Sequence, residues 1–196
     1  ILRWLGREYG RRSWVLQLHV GAQRRTSTRL RKLAGPTGGY ATIGRTCDIG
    51  SLCGLLDDLE VGGYLPRTII YPLNPADNPA LATLTGSFAE DGVRGKIQFG
   101  PAWWYNDHRS GMRRHLDDQA SFGLLWTFVG MTTDSRSLLS MARHEYFRRV
   151  LCDFLGARVE AGEFPADEAL LGEMVRAIAY ENACRWILGQ EPTAHE

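Results

Sequence analysis

Apolar residues are arranged along this chain in two ways, as short unbroken runs and as longer stretches with helical spacing. The short runs predict buried strands, and the longer stretches predict amphipathic helices. Strands are expected at residues 13–20, 67–73, 96–99 and 124–131. Because helical stretches separate these strands, the pattern predicts parallel βα units.

Capping residues mark several of the predicted helices. Asp48 is an expected N-cap, Asn78 before Pro79 marks a helix start, and Gly123 and Gly156 are expected stops. Residues 22–32 are predicted as a solvated loop rich in arginine. We therefore expect an α/β fold with about four βα units and C-terminal helices, in one domain over residues 1–196. Four units make half of a (β/α)8 TIM-type barrel, which typically has about 250 residues.

The first residues already have the apolar spacing of a helix, without a helix-start signal, so we expect the N-terminal strands of a longer protein to be missing.

The composition narrows the class of protein further. The chain has 196 residues, 44% of them hydrophobic, which is enough for a globular core. Its 23 basic and 22 acidic residues nearly balance, which argues against a nucleic-acid partner. No apolar run is long enough to span a membrane. The four cysteines lack a CxxC spacing, so a reduced, cytoplasmic protein is expected.

Candidate catalytic residues lie where predicted strands end. Asp134 and Arg136 follow the predicted strand 124–131, and His19 stands near the end of the strand 13–20. In α/β proteins, ligands bind at the carboxyl ends of the strands. The competing interpretations are a helix cap for Asp134, a surface position for Arg136 and a satisfied core histidine for His19.

Three further residues are candidates for substrate binding. Trp103 and Trp104 follow the predicted strand 96–99 and could wall a sugar pocket, although packing against the sheet is an equal alternative. Arg24 belongs to a run of basic residues that could attract a small anion, although most of that run is expected to be solvated.

Five stretches carry a resemblance to a known family: WVLQLHVGAQR, TIIYPLNPADN, GKIQFGPAWWYND, FVGMTTDSRSLLSMARHEYFRR and GEFPADEALLGEMV. They resemble uronate isomerase, also called glucuronate isomerase, of the amidohydrolase superfamily. The similarity runs through essentially the whole chain. It implies that the chain is the C-terminal portion of a (β/α)8 barrel. It also implies interconversion of D-glucuronate with D-fructuronate, and of D-galacturonate with D-tagaturonate, in hexuronate catabolism.

The resemblance also implies roles for individual residues. Asp134 would be a metal ligand or proton-transfer residue, Arg136 a substrate contact, and His19 the histidine of strand five. A divalent metal, zinc, is implied for the complete enzyme. The family's His-x-His pair, which supplies its main metal ligands, is absent here. Because a metal usually needs three or four protein ligands, we expect this segment alone to be inactive and metal-free.

Two other functions stay open at this stage. A metal-dependent hydrolase of the same superfamily would release an amine or alcohol, and a non-catalytic half-barrel would serve only as a structural module. The expected partner is a uronate sugar, and assembly into a homo-oligomer is left open.

Overall fold

The computed structural model of the chain describes residues 1–135 and 137–192, with a parallel sheet at its centre. The strands are β1 (Leu16–Val20), β2 (Ala22–Gln23), β3 (Thr42–Ile43), β4 (Thr68–Pro72) and β5 (Ile97–Phe99). The helices are α1 (Leu2–Arg11), α2 (Thr28–Ala34), α3 (Ile49–Val61), α4 (Asn78–Ser87), α5 (Arg109–Phe122), α6 (Ala142–Glu160) and α7 (Glu168–Arg176). Short 3-10 turns follow β4 and β5, and two π-helical segments, Ala177–Glu181 and Cys184–Leu188, extend α7.

The sheet has the order β1–β4–β5, and both pairings are parallel. All five residues of the central strand β4 are buried, as its unbroken apolar sequence predicts. After these 3-10 turns, α4 follows β4 and α5 follows β5, which confirms the predicted βα organisation for these units. Strands β2 and β3 form a separate antiparallel pair, and the chain between them contains α2.

The two faces of the sheet pack against different layers. Leu18 and Val20 of β1 join Ile70 and Phe99 in a core shared with α3 and α4. Alternate residues face the other way, where Ile69 and Tyr71 pack with Trp103, Val129 and Trp186. The alternation follows from the two-residue period of a strand, and it puts Val15 and His19 on the second face.

The prediction of a fourth strand at residues 124–131 is wrong. Its first part is a 3-10 turn, Leu125–Thr127, and the buried residues that follow pair with no strand among the described residues. Side-chain amides take the place of a strand partner: Gln98 donates to the carbonyl of Thr127, and Asn182 donates to that of Phe128. Gly130 has a φ of +80°, and a Cβ there would lie 2.2 Å from a backbone carbonyl oxygen. This segment is therefore fixed by side-chain contacts.

Two further predictions are corrected. The helix expected to stop at Gly156 continues as α6 to Glu160, because nothing crowds Gly156 and the chain turns only at Gly162, whose φ is +74°. The solvated loop expected at residues 22–32 includes β2 and the start of α2. Ser27 caps this helix by accepting a hydrogen bond from the amide of Leu30.

Two observations bear on the environment of the protein. No helix among residues 1–135 and 137–192 is long and apolar enough to cross a membrane. All four cysteines lie in this part of the chain and are free thiols.

Candidate active site

The carboxyl ends of β1 and β4 bring two polar rings together. His19 lies opposite Tyr71 in the parallel register, and their ring centroids are 4.9 Å apart. The Tyr71 hydroxyl donates to Oε1 of Gln17 at 2.8 Å. Both Gln17 and His19 are exposed on this face of the edge strand. The end of the sheet thus presents an imidazole, a phenol and an amide to one space.

Trp103 forms the floor of this space. It is only 2% exposed, and its indole nitrogen donates to the carbonyl of Pro72 at 3.0 Å. Its ring centroid lies 4.4 Å from that of His19. Such burial agrees with the packing alternative for Trp103, whose role in sugar binding stays a prediction.

Trp104 connects two charged residues, Arg24 and Asp134, and these three residues form the rim of this space. Its indole N–H donates to Oδ2 of Asp134 at 3.1 Å, and the guanidinium carbon of Arg24 lies 4.9 Å from its ring centroid. Three residues that the sequence places on separate segments, Arg24, Trp104 and Asp134, therefore meet at one rim. His19 belongs to the same group, because the charges of Asp134 and Arg24 both act on its titration.

Burial and charge set the protonation of the two rings at the sheet end. Partial burial lowers the pKa of His19; the Asp134 carboxylate opposes this shift, and the Arg24 guanidinium adds to it. His19 is therefore a neutral imidazole at neutral pH. Burial, reinforced by the nearby charge of Asp134, raises the pKa of Tyr71 to about 12, so the phenol keeps its proton. The neutral imidazole of His19 can donate a hydrogen bond to a sugar oxygen, whereas the Tyr71 hydroxyl already donates to Gln17.

The backbone is strained at the two residues that form the rim contact. Trp104 has a φ of +51° and Asp134 a φ of +45°, both in the left-handed region. A bulky side chain rarely adopts this conformation, and such strain persists only where surrounding contacts enforce it. Backbone strain of this kind is concentrated at ligand-binding and catalytic sites.

A buried layer beneath the rim holds the loop after β5 in place. Asn106 donates to the carbonyl of Leu73 at 2.7 Å, and His115 of α5 lies 2.8 Å from the carbonyl oxygen of Gly100. The His115 ring packs between two phenylalanines, and burial lowers its pKa to about 4. A neutral histidine that donates to Gly100 therefore fixes the strand end that leads to the tryptophans.

An open cleft of about 420 Å³ lies beside the rim. Arg24, Trp104 and Tyr105 form one side, and residues 36–41 form the other. The Tyr105 hydroxyl donates to the carbonyl of Ala41 and ties the two sides together. Aromatic faces next to a guanidinium suit a small ligand that has both apolar C–H surfaces and a carboxylate.

The donor set at this rim does not fit a complete metal centre. Within the described part of the chain, no group of three or more His, Cys, Asp and Glu side chains could hold a metal ion. His19 and Asp134 offer two donors, whereas a zinc site uses three or four protein ligands. Metal ligation by Asp134 therefore stays a prediction.

The structure brings most of the predicted site residues together. His19, Asp134, Trp103, Trp104 and Arg24 meet at one end of the sheet, whereas Arg136 lies outside the described residues. Sequence reasoning missed Tyr71 and Tyr105. Tyr71 could have been found, because it ends a buried strand on the same face as Ile69. Tyr105 carried no such signal, because its contact with Ala41 spans 64 residues.

The fold and the rim define an α/β protein with a candidate ligand site at the carboxyl ends of parallel strands. The family model described as glucuronate isomerase matches residues 1–187, so the chain belongs to the glucuronate isomerase family. The uronate isomerase of Salmonella arizonae is 52% identical over 183 residues, and that of Salmonella paratyphi B is 51% identical over 186.

Solved structures agree with these sequence matches. The chain superposes with a TM-score of 0.84 on the uronate isomerase of Thermotoga maritima at 34% identity, covering 95% of this chain and 39% of that one. The glucuronate isomerase of Caulobacter crescentus gives a TM-score of 0.85 at 26% identity, covering 100% of this chain and 40% of that one. The two Salmonella matches cover 93% and 95% of this chain. The chain spans only 39–40% of these two relatives' length.

Proposed function

We propose that this chain supplies part of the active site of a uronate isomerase, which interconverts D-glucuronate with D-fructuronate and D-galacturonate with D-tagaturonate. The observation that carries the proposal is that His19, Asp134 and Arg24 lie together at the carboxyl end of a parallel sheet, in a chain of this family. Trp104 contacts Asp134 and Arg24, and Trp103 contacts His19. The fold we propose is the C-terminal half of a (β/α)8 barrel, with this rim at its catalytic face.

The proposed reaction moves hydrogen without any net oxidation. A base removes the proton from C2 of the open-chain aldose, an enediol forms, and a proton returns to C1. The C1 aldehyde becomes a hydroxyl group, and the C2 hydroxyl becomes the ketone. Such chemistry needs a base, a donor that stabilises charge on O1 and O2, and a means to shuttle protons between them.

The rim residues suit these tasks. Asp134 would transfer the proton, and the neutral imidazole of His19 would donate to the carbonyl oxygen or assist ring opening. Arg24 would bind the carboxylate of the uronate, because a guanidinium pairs with carboxylates through two parallel hydrogen bonds. Arg136 stays a predicted substrate contact, and a zinc requirement stays a prediction for the complete enzyme.

A hybrid enzyme tests the proposal. In this hybrid, the chain replaces the matching segment of the Salmonella arizonae uronate isomerase, which is 52% identical. We expect the hybrid to isomerise glucuronate and galacturonate, and the 196-residue chain alone to be inactive. The intact Salmonella enzyme is the control for the assay, and circular dichroism confirms that the hybrid is folded.

A folded hybrid without isomerase activity would contradict the proposal. Release of an amine or alcohol from amidohydrolase substrates would instead favour the hydrolase alternative. The names of the relatives favour isomerisation, because the Salmonella and Thermotoga proteins are called uronate isomerases.

A further inference from the structure

The conformation of Trp104 is imposed by its neighbours. Trp103 is tied to the carbonyl of Pro72 at 3.0 Å, and Asn106 is tied to that of Leu73 at 2.7 Å. These hydrogen bonds anchor the chain on both sides of Trp104 to the end of β4. Between the two anchors, Trp104 takes a φ of +51° that a bulky residue does not adopt by preference.

This conformation directs the indole N–H to a carboxylate. The nitrogen lies 3.1 Å from Oδ2 of Asp134. An indole is a donor only, and a hydrogen bond from it to an ionised carboxylate is charge-assisted. Among the described residues, the segment that carries Asp134 pairs with no strand, and Asp134 itself has a left-handed backbone. A fixed side-chain donor therefore defines the direction of its carboxylate.

The ring of Trp104 is also engaged. The Arg24 guanidinium lies 4.9 Å from its centroid, and the Trp103 ring lies 5.1 Å away. One side chain therefore contacts both the candidate proton-transfer group and the candidate partner of the substrate carboxylate. A tryptophan used only to stack on a sugar would need neither contact.

We propose that Trp104 is a positioning residue whose indole N–H fixes the orientation of the Asp134 carboxylate and whose ring holds the Arg24 guanidinium at the same rim. This inference rests on the proposed roles of Asp134 and Arg24. The sequence left two roles open for Trp104, a wall of the sugar pocket and packing against the sheet, and the inference gives it instead an action through two other residues.

Hydrogen exchange of the indole N–H tests the contact directly in the 196-residue chain. The Trp104 and Trp103 indole signals are assigned in nitrogen-15 spectra by their loss in Trp104→Phe and Trp103→Phe. In Asp134→Ala, exchange of the Trp104 N–H with water should become about tenfold faster or more, because a hydrogen bond to a charged group is lost. Asp134→Asn keeps an acceptor oxygen and should have a smaller effect.

The Trp103 N–H is a matched internal control, since its acceptor is the carbonyl of Pro72. Its exchange should stay unchanged in both Asp134 variants. An unchanged exchange rate for the Trp104 N–H in Asp134→Ala would overturn the proposal.

Kinetics of the hybrid enzyme separate positioning from sugar stacking. Trp104→Phe retains an aromatic ring for Arg24 and removes the donor to Asp134. We expect kcat to fall by about tenfold or more while KM changes less than about twofold, as for an interaction that acts in the transition state. A raised KM with an unchanged kcat would instead assign Trp104 to sugar stacking and refute the inference. An inactive unmutated hybrid would count against the proposed function alone, and the exchange measurement would then decide on the Trp104 contact.

Discussion

The two ends of the parallel sheet differ in a way that pocket size does not reveal. The larger cleft, about 740 Å³, lies at the amino ends of the strands, next to Arg67, Trp14 and Trp186. The cleft at the carboxyl ends measures about 420 Å³. At the amino end, Lys96 is paired with Glu90, so a cation that faces the larger cleft is already partly neutralised.

The carboxyl end combines features that the amino end lacks within the described residues. Its histidine, His19, has a lowered pKa, and the Asp134 carboxylate accepts a hydrogen bond from the indole of Trp104. Trp104 and Asp134 both have a left-handed backbone. The amino end has one such residue, Ser13, with a φ of +55°. Convergent polar groups and enforced strain therefore favour the carboxyl end as the candidate site, although the cleft there is the smaller of the two.

The largest expected effect comes from removing the charge at the carboxyl end. Asp134→Asn keeps the shape of the side chain and an acceptor for Trp104, but it cannot take up a proton as a carboxylate does. In the hybrid enzyme, kcat should fall by about 10²–10⁴-fold, the range typical of general acid–base catalysis. Steady-state assays on glucuronate measure this loss. Near-normal turnover would remove Asp134 from the mechanism.

Sequence patterns were sufficient where local chemistry determines the structure. The apolar run of β4 and the N-cap at Asp48, which accepts from the amide of Ser51, were both predicted. His19 was identified as a candidate because a polar residue near the end of an apolar strand is unusual, and the structure brings it to the rim with Trp103.

Patterns failed where distant side chains determine the backbone. The apolar run at residues 124–131 has the composition of a strand, yet Gln98 and Asn182 bind its carbonyls from 29 and 54 residues away. The left-handed conformation of Trp104 likewise depends on contacts that span about 30 residues. No window of local sequence contains this information, so the geometry of the candidate site was not predictable, although several of its residues were.

A second prediction concerns the buried support beneath the rim. His115 has a folded-state pKa of about 4, below the ordinary histidine value of 6.5, so the unfolded chain binds the proton more readily. Stability from this group is therefore complete above pH 6.5 and is lost as the pH falls toward 4. Lowering the pKa from 6.5 to about 4 corresponds to about 3 kcal/mol of unfolding free energy.

Denaturant unfolding of the 196-residue chain at pH 7 and pH 4.5 measures this effect. His115→Gln keeps an N–H donor for the carbonyl of Gly100 but does not titrate, so it should lose less stability between the two pH values than the unmodified chain. His144→Gln on α6 is the control, because that histidine is not enclosed in the core as His115 is. Equal pH dependence in the unmodified chain and His115→Gln would show that another group is responsible.

The smallest expected effect on stability comes from the same type of substitution made separately at each end of the sheet. Arg67 lies over the ring of Trp186 at 5.7 Å at the amino end, as Arg24 lies over Trp104 at 4.9 Å at the carboxyl end. Each arginine is changed to methionine, which keeps the side-chain length and removes the charge. Each change should cost only about 0.5–1 kcal/mol of stability through the lost cation–π contact.

Their effects on catalysis should differ, because only Arg24 is proposed to meet the substrate carboxylate. Arg24→Met should raise the KM of the hybrid for glucuronate, whereas Arg67→Met should leave both kcat and KM unchanged. Steady-state kinetics at matched protein stability make the comparison. If Arg67→Met raised KM as much as Arg24→Met, the larger amino-end cleft would have to be included in the substrate site, and the distinction between the two ends would fail.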